Sequence, residues 1–107
     1  MVAGEEADRV FHALADGTRR DILTRVITAE QSVSALARCY PMSFAAVQKH
    51  VAVLERASLV VKQRRGREQI VRADLTAVRR AARLLDAYEE LWRHRVQGIE
   101  DLLQEGQ

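Results

Sequence analysis

Apolar residues recur at helical spacing through the first third of the chain. Two such stripes predict two helices, the first over residues 5–15. The first stripe consists of Ala7, Val10, Phe11 and Leu14, and the second of Ile22, Leu23, Val26 and Ile27. Asp16 lies between them, where its carboxylate can accept hydrogen bonds from the first free amides of the second helix. The pattern therefore predicts two amphipathic helices that share a core.

Two shorter helices, joined by a tight turn, are expected over residues 32–57. Ser32 and Ser43 stand where N-caps are expected, and Pro41 between them prevents the first helix from continuing. The apolar stripe of the second helix is Val47, Val51 and Leu54. This pairing of short helices is typical of a helix-turn-helix.

The period then changes from helical to extended, over residues 59–72. Apolar and β-branched runs at 59–61 and 69–71 flank a polar, arginine-rich segment that contains Gly66. We therefore expect a two-stranded hairpin, with Gly66 at a position of positive φ.

Asp74 is expected to begin a last helix, which spans about residues 75–104. Its apolar residues form two rows at nearly heptad spacing, so one row is expected to pack on the chain's own core and the other on a second copy of the chain. The alternative is a single wide face buried within a monomer. The residues predicted to form the homodimer interface are Val10, Phe11, Leu85, Tyr88, Trp92, Val96 and Ile99.

Composition favours one domain, residues 1–107, with charge concentrated in its middle. Residues 31–72 carry eight basic and two acidic side chains, although the net charge of the whole chain is only +2. The single cysteine excludes an intrachain disulfide, no apolar run is long enough to cross a membrane, and the acidic start is unlike a signal peptide. We therefore expect a cytoplasmic protein without a membrane partner, and a basic surface that binds a polyanion.

A helix-turn-helix followed by a basic hairpin is a winged helix-turn-helix, which binds double-stranded DNA. The predicted fold is thus mostly α with a small β-hairpin and a long C-terminal dimerisation helix. The recognition-helix residues expected to contact DNA are Ser43, Phe44, Ala45, Gln48 and Lys49, and those of the wing are Arg64, Arg65 and Arg67. Gln48 has the amide that pairs with adenine, and arginines bind phosphate.

Three stretches of the chain resemble the ArsR-type bacterial repressors, and the resemblance covers nearly its whole length. They are Phe11–Leu23 (FHALADGTRRDIL), Ser32–Ala37 (SVSALA) and Met42–Val60 (MSFAAVQKHVAVLERASLV). The resemblance implies a dimeric repressor that binds a palindromic operator near its own gene and is released by an effector. The family usually has glycine at the position of Ser58, so a left-handed turn there would strain the serine.

The expected effector is not a metal ion, and a repressor that senses a metal is the first alternative. The family's usual cysteine ligands fall on Ser32 and Ser34, which are poor ligands for soft metals. On the last helix Asp86, Glu90 and His94 share one face, so a zinc-type site there is the alternative. We expect no metal and no cofactor.

Three further expectations concern single residues and the class of the protein. Cys39 is expected to be a buried, inert thiol, with a redox-active thiol beside Arg38 as the alternative. His50 is expected to be a partly buried histidine that is hydrogen bonded. No nucleophile–base pair or phosphate-binding loop is present, so an enzyme is not expected. A winged helix that binds proteins rather than DNA is the other alternative, and the wing arginines argue against it.

Overall fold

A computed structural model describes the backbone of residues 2–106 and the side chains of residues 4–106. In this part of the chain there are five helices and three short strands, and apart from the first strand they follow one another in the predicted order. They are α1 (Val2–Leu14), α2 (Gly17–Thr28), β1 (Gln31–Ser32), α3 (Val33–Ala37), α4 (Phe44–Arg56), β2 (Val60–Arg65), β3 (Glu68–Ala73) and α5 (Thr76–Glu105). The predicted fold class, mostly helical with a hairpin and a long last helix, is confirmed.

Side-chain caps fix where three of the helices begin. In each case a side-chain oxygen accepts a hydrogen bond from the backbone N–H three residues later, which satisfies an amide without an intrahelical partner. The pairs are Asp16 with Arg19 for α2, Ser32 with Ala35 for α3, and Ser43 with Ala46 for α4, at 3.0, 3.0 and 3.1 Å. All three caps were predicted from the sequence.

The hairpin belongs to a three-stranded antiparallel sheet in the order β1-β3-β2. Arg65 pairs with Glu68, so the turn is the two-residue loop Gly66-Arg67, and Gly66 has the expected positive φ of 60°. Strand β1 was not predicted. It has only two residues, Gln31 and Ser32, and two residues show no alternation that could reveal a strand.

The core lies between α1–α4, the start of α5 and the inner face of the sheet. Its largest fully buried side chains are Ile22, Leu36, Leu54, Leu59, Val10, Val47, Val51, Val60 and Val71. The assignment of Val10 to the dimer interface was therefore wrong. Val10 is 1% exposed in the chain itself, whereas Phe11 beside it is 38% exposed. The inward face of α1 passes through Val10, and it leaves Phe11 at its edge.

Within the described residues, the buried side chains of the long helix α5 lie near its start. Among the described residues its buried side chains are Ala77 and Ala81, and Arg80 pairs with Glu6 of α1 at 3.0 Å. Beyond Ala81 both apolar rows are open to solvent, including Leu84, Leu85, Tyr88, Leu91 and Trp92. The expectation that one row packs on the chain's own core was therefore wrong. The start of the helix packs on the core, and the rest of its length is exposed on all faces but for the half-buried Val96.

The turn between α3 and α4 lies at the surface and exposes Cys39. The prediction of a buried thiol was wrong because α3 ends at Ala37, after Leu36 has filled the core position. The Cys39 Sγ lies 3.4 Å from the carbonyl oxygen of Ala35. Nearby, the Tyr40 hydroxyl donates a hydrogen bond to Asp21 of α2 at 2.5 Å, which holds the turn against that helix.

Ser58 follows α4 with a φ of 61°, in the left-handed region. The left-handed turn considered for this position is therefore present, and such a conformation costs a non-glycine residue about 1–2 kcal/mol. The turn brings Leu59 back into the core, where its N–H donates to the carbonyl of Leu54 at 3.0 Å.

Candidate nucleic-acid interface

Helix α4 has one face in the core and the opposite face in solvent. Val47, Val51 and Leu54 are at most 1% exposed and fix the rotation of the helix about its axis. At 100° per residue, Ala45 and Lys49 then point away from the core, and both are exposed. Gln48 is also exposed, on the side of the helix that faces the hairpin. Small and polar side chains on this face leave room for close approach to a base edge.

The N-terminus of α4 combines a cap with an exposed aromatic ring. The Ser43 hydroxyl oxygen accepts the hydrogen bond from Ala46, which leaves its O–H available as a donor. Phe44 at the first helical position is 47% exposed. Phenylalanine is one of the side chains that make apolar contacts with the methyl group of thymine in protein–DNA complexes.

The hairpin lies beside α4 and presents alternate residues to it. Val60, Lys62 and Arg64 share one face of β2, which is the face that packs on the core, because Val60 is buried. The Lys62 Nζ lies 3.4 Å from a carboxylate oxygen of Glu55 on α4. Lys62 also lines a small cleft of about 100 Å³ together with Gln48 and Gln69. These contacts place the wing next to the exposed face of α4. Sequence reasoning missed them because they join residues far apart in the chain.

Arg65 lies on the face of the sheet opposite to Arg64, where it forms an ion pair with Glu30. Its guanidinium forms two hydrogen bonds with the carboxylate of Glu30, at 2.5 and 3.3 Å. Glu30 precedes β1 and Arg65 ends β2, so the pair crosses β3 on the outer face of the sheet, the face of Ile70. The Arg65 guanidinium lowers the pKa of Glu30, and the carboxylate raises that of Arg65. The prediction grouped three equivalent wing arginines, but the structure separates Arg65 from the other two.

The remaining cations of this surface are unengaged within residues 4–106. Arg64, Arg67, Lys49 and Arg56 are exposed, and none forms an ion pair with a carboxylate of the described residues. Four unpaired cations on the tip of the wing and the outer side of α4 form a surface suited to phosphates.

His50 connects α4 to the first two helices. Its Nδ1 lies 3.3 Å from the Arg19 guanidinium and 3.9 Å from the Asp16 carboxylate. Arg19 also donates hydrogen bonds to the carbonyl oxygens of Ala13 and His12, at 2.7 and 3.0 Å. Because a guanidinium only donates, Nδ1 acts as the acceptor. The partly buried, hydrogen-bonded histidine predicted from the sequence is confirmed.

Comparison with known proteins agrees with this geometry. Residues 14–63 match a family model described as a helix-turn-helix domain. The chain is 35% identical, over 96 residues, to the HTH-type transcriptional regulator Rv2034 of Mycobacterium tuberculosis, covering 90% of this chain and 87% of that protein. It is also 35% identical to the solved structure of an ArsR-like transcriptional regulator from Rhodococcus sp. RHA1, with a TM-score of 0.82 and coverage of 95% and 96%. The chain belongs to the ArsR family of transcriptional regulators.

A further solved structure shows an assembly. The ArsR-family chain is 28% identical to Mb0332 from Mycobacterium bovis, which is described as a homodimeric winged helix-turn-helix DNA-binding domain and a possible ArsR-family regulator. The TM-score is 0.65, with 80% of this chain and 81% of that one covered. The family is one of DNA-binding transcription regulators, not enzymes, as the sequence predicted.

The candidate zinc residues of this ArsR-family protein are only partly brought together. The His94 Nε2 lies 3.4 Å from a Glu90 carboxylate oxygen, and Arg93 also pairs with Glu90. Within the part of the chain that the structure describes, no three side chains of His, Cys, Asp or Glu are placed to hold a metal ion. None of the helices in this part is both long enough and apolar enough to cross a membrane.

Proposed function

We propose that this ArsR-family regulator is a homodimeric repressor that binds a palindromic operator near its own gene. The observation that carries the proposal is the shared surface of α4 and the wing. Gln48 and Lys49 of α4 and Arg64 and Arg67 of the wing are all exposed on this surface. The buried side chains of α4 fix the rotation of the helix that presents the first two. Such a helix enters the major groove, and the wing contacts the flanking backbone.

Base recognition is assigned to the first half of α4. Gln48 pairs with the N6 and N7 edge of adenine, and Lys49 binds guanine or a phosphate. Phe44 and Ala45 supply apolar contacts to thymine methyl groups, and the backbone N–H of Ser43 faces a phosphate at the helix N-terminus. Arg64 and Arg67 bind phosphates from the wing, whereas Arg65 stabilises the sheet through Glu30.

Dimerisation is assigned to α5, with Phe11 of α1 at its edge. The apolar side chains Leu85, Tyr88, Trp92 and Ile99 are between 48% and 63% exposed, and Val96 between them is half-buried. Exposed apolar side chains that follow one another along one helix are typical of an interface. The homodimeric state of Mb0332 supports a second copy of the chain as the partner. Two recognition helices related by a two-fold axis then require a palindrome with half-sites about one helical turn apart.

Release of the repressor is assigned to an effector other than a metal ion. Ser32 and Ser34 stand where related proteins hold soft metals with cysteines, and the Ser32 hydroxyl already caps α3. No cofactor is required for the assignment of the DNA-binding residues.

Fluorescence anisotropy tests the proposal, with the duplex upstream of the protein's own gene and a scrambled duplex of equal length at one salt concentration. We expect a preference of about 10³-fold or more for the native duplex. Gln48→Ala should cost about 1–3 kcal/mol on that duplex and little on the scrambled one. The control Gln97→Ala changes an exposed glutamine of α5 and should leave both affinities unchanged. Equal loss on both duplexes for Gln48→Ala would show that Gln48 reads no base.

A further inference from the structure

An open cleft of about 520 Å³ lies at the base of the wing, away from the DNA-binding surface. Its walls come from the end of α2, the hairpin and the start of α5. Val61 and Arg72 are paired across β2 and β3 and project into it. The neighbouring pair, Lys62 and Val71, belongs to the opposite face, since Val71 is fully buried in the core and Lys62 contacts Glu55 of α4. The cleft therefore opens on the face of the sheet opposite to the recognition helix.

One side of the cleft is apolar, although it faces solvent. Ile27 of α2 is 50% exposed and Val61 is 41% exposed, and Leu75 beside them is half-buried. An apolar body placed against these three side chains would remove their surface from water.

The other side carries a net positive charge. Arg72 and Arg79 line the cleft, and neither forms an ion pair with a carboxylate of the described residues. Asp74 also lines it, but its carboxylate accepts a hydrogen bond from the N–H of Thr76 at 3.0 Å. That bond lowers the pKa of Asp74, so this carboxylate stays ionised. Outside the lining, the hydrogen bond from Arg65 and the charge of Arg72 lower the pKa of Glu30, so Arg72 also interacts with that carboxylate. Within the lining, two cations and one anion leave a net positive charge, which suits a small monoanion.

We propose that this cleft binds a small organic monocarboxylate with a compact apolar body. The carboxylate lies between Arg72 and Arg79, whose guanidinium groups match its geometry. The apolar body covers Ile27, Val61 and Leu75. The volume lies within the range of about 300–1,000 Å³ usual for small-molecule sites.

Such a ligand would act as the effector, because the cleft joins the wing to the dimerisation helix. Its walls belong to α2, to the base of the hairpin and to the first turn of α5, so an occupant changes the free energy of their relative placement. In a dimer held through α5, such a change in placement alters the distance and orientation between the two wings, and with them the affinity for the operator. This step deepens the proposed function by naming the chemical class of the effector, and it rests on that function. The binding itself does not.

Two-dimensional ¹H–¹⁵N NMR titration of the full chain tests the binding. The probe is cyclohexanecarboxylate, with cyclohexanecarboxamide as its neutral counterpart and sulfate as a simple anion, each up to roughly 10 mM, as suits a ligand with so few atoms. We expect saturable shifts centred on Val61, Arg72 and Arg79 with the carboxylate. The amide and sulfate should bind at least about tenfold more weakly, because the amide lacks the negative charge and sulfate lacks the apolar body.

Matched variants assign the site. Arg72→Gln with Arg79→Gln should weaken carboxylate binding roughly tenfold or more, whereas Arg83→Gln, an exposed arginine of α5 outside the cleft, should not. The proposal is overturned by equal binding of the amide or of sulfate. Shifts centred on the apolar residues of α5, or no saturation, overturn it as well.

The operator duplex tests the regulatory step. The carboxylate should weaken operator binding of the wild type at least about threefold, and that of the double variant not at all. If the double variant binds operator much more weakly without any ligand, Arg72 and Arg79 are DNA contacts and the inference fails. If NMR shows binding but the operator affinity is unchanged, the effector role fails while the site stands. If wild type without ligand binds no operator, the proposed function itself fails.

Discussion

At the level of single residues, the wing shows how identical side chains take different roles. Arg64, Arg65 and Arg67 are close in the chain and all exposed, yet among residues 4–106 only Arg65 has an acidic partner, Glu30. Alternation along β2 places Arg64 and Arg65 on opposite faces of the sheet. The composition of the tip predicted a phosphate-binding cluster of three. In the structure one of the three, Arg65, instead forms an exposed ion pair with Glu30.

The three arginines should therefore differ in the salt dependence of DNA binding. Arg64→Gln and Arg67→Gln should each flatten the slope of log K against log salt by about one unit per wing, since each removes one phosphate contact. Arg65→Gln should change the slope much less. Anisotropy titrations between about 50 and 200 mM salt measure it. Equal flattening by all three variants would mean that the ion pair with Glu30 opens when DNA binds.

The hydrogen bonds of Asp21 make the stability of the protein depend on pH in the acid range. The hydrogen bonds from Tyr40 and Arg25 lower the pKa of Asp21 below its ordinary value. A lowered pKa in the folded state stabilises the protein above the unfolded value, about pH 4, and this contribution is lost as the pH falls through the folded value.

Asp21→Asn should therefore be less stable than wild type at pH 7, and the difference should shrink as the pH falls from about 5 to 3. Thermal unfolding followed by circular dichroism at several pH values measures the difference. Asp86→Asn is the control, because Asp86 is an exposed aspartate of α5 that pairs with no cation among the described residues. A gap between wild type and Asp21→Asn that stays constant with pH would contradict the role of the ionised carboxylate.

At the level of elements, local rules predicted the ends of the helices and failed on contacts between distant residues. The caps Asp16, Ser32 and Ser43 and the turn glycine act within three or four residues, so the sequence shows them directly. Strand β1 is too short for a periodic pattern. The partner of Arg65 lies 35 residues away, which no local pattern reports. The sequence thus predicted the residue types of the candidate DNA surface. It did not predict which of its cations would already be paired with a carboxylate of the chain.

The turn after α4 gives an element-level prediction. Ser58→Gly should stabilise the protein by about 0.5–1 kcal/mol, because relief of the left-handed strain exceeds the extra entropy that glycine loses on folding. Chemical denaturation measures the change. In the control Ser34→Gly, an exposed residue inside α3, the same substitution should instead destabilise, by up to about 1 kcal/mol. A destabilised Ser58→Gly variant would show that the serine side chain contributes more than its conformation costs.

At the level of the whole molecule, the shape separates the compact DNA-binding unit from a projecting helix. The principal extents are 72 × 29 × 21 Å, and the longest far exceeds what a globular chain of this length requires. Helix α5 has 30 residues, or about 45 Å, and most apolar side chains of its last two-thirds are exposed among the described residues. In proteins most helical stability comes from packing of an apolar face, so the second copy proposed above would stabilise this segment.

This dependence predicts that dimer formation, the helicity of α5 and operator affinity are lost together. Leu91→Glu combined with Trp92→Glu places two charges on side chains that are 66% and 63% exposed in the single chain, so the core is untouched. We expect a monomer by light scattering, a loss of helical circular dichroism equivalent to part of α5, and operator binding weakened by more than about 100-fold. Gln97→Glu, on the polar side of the same helix, should remain dimeric with normal affinity. A double variant that becomes monomeric but keeps its operator affinity would show that one recognition helix and one wing suffice, and the palindrome would then have no physical basis.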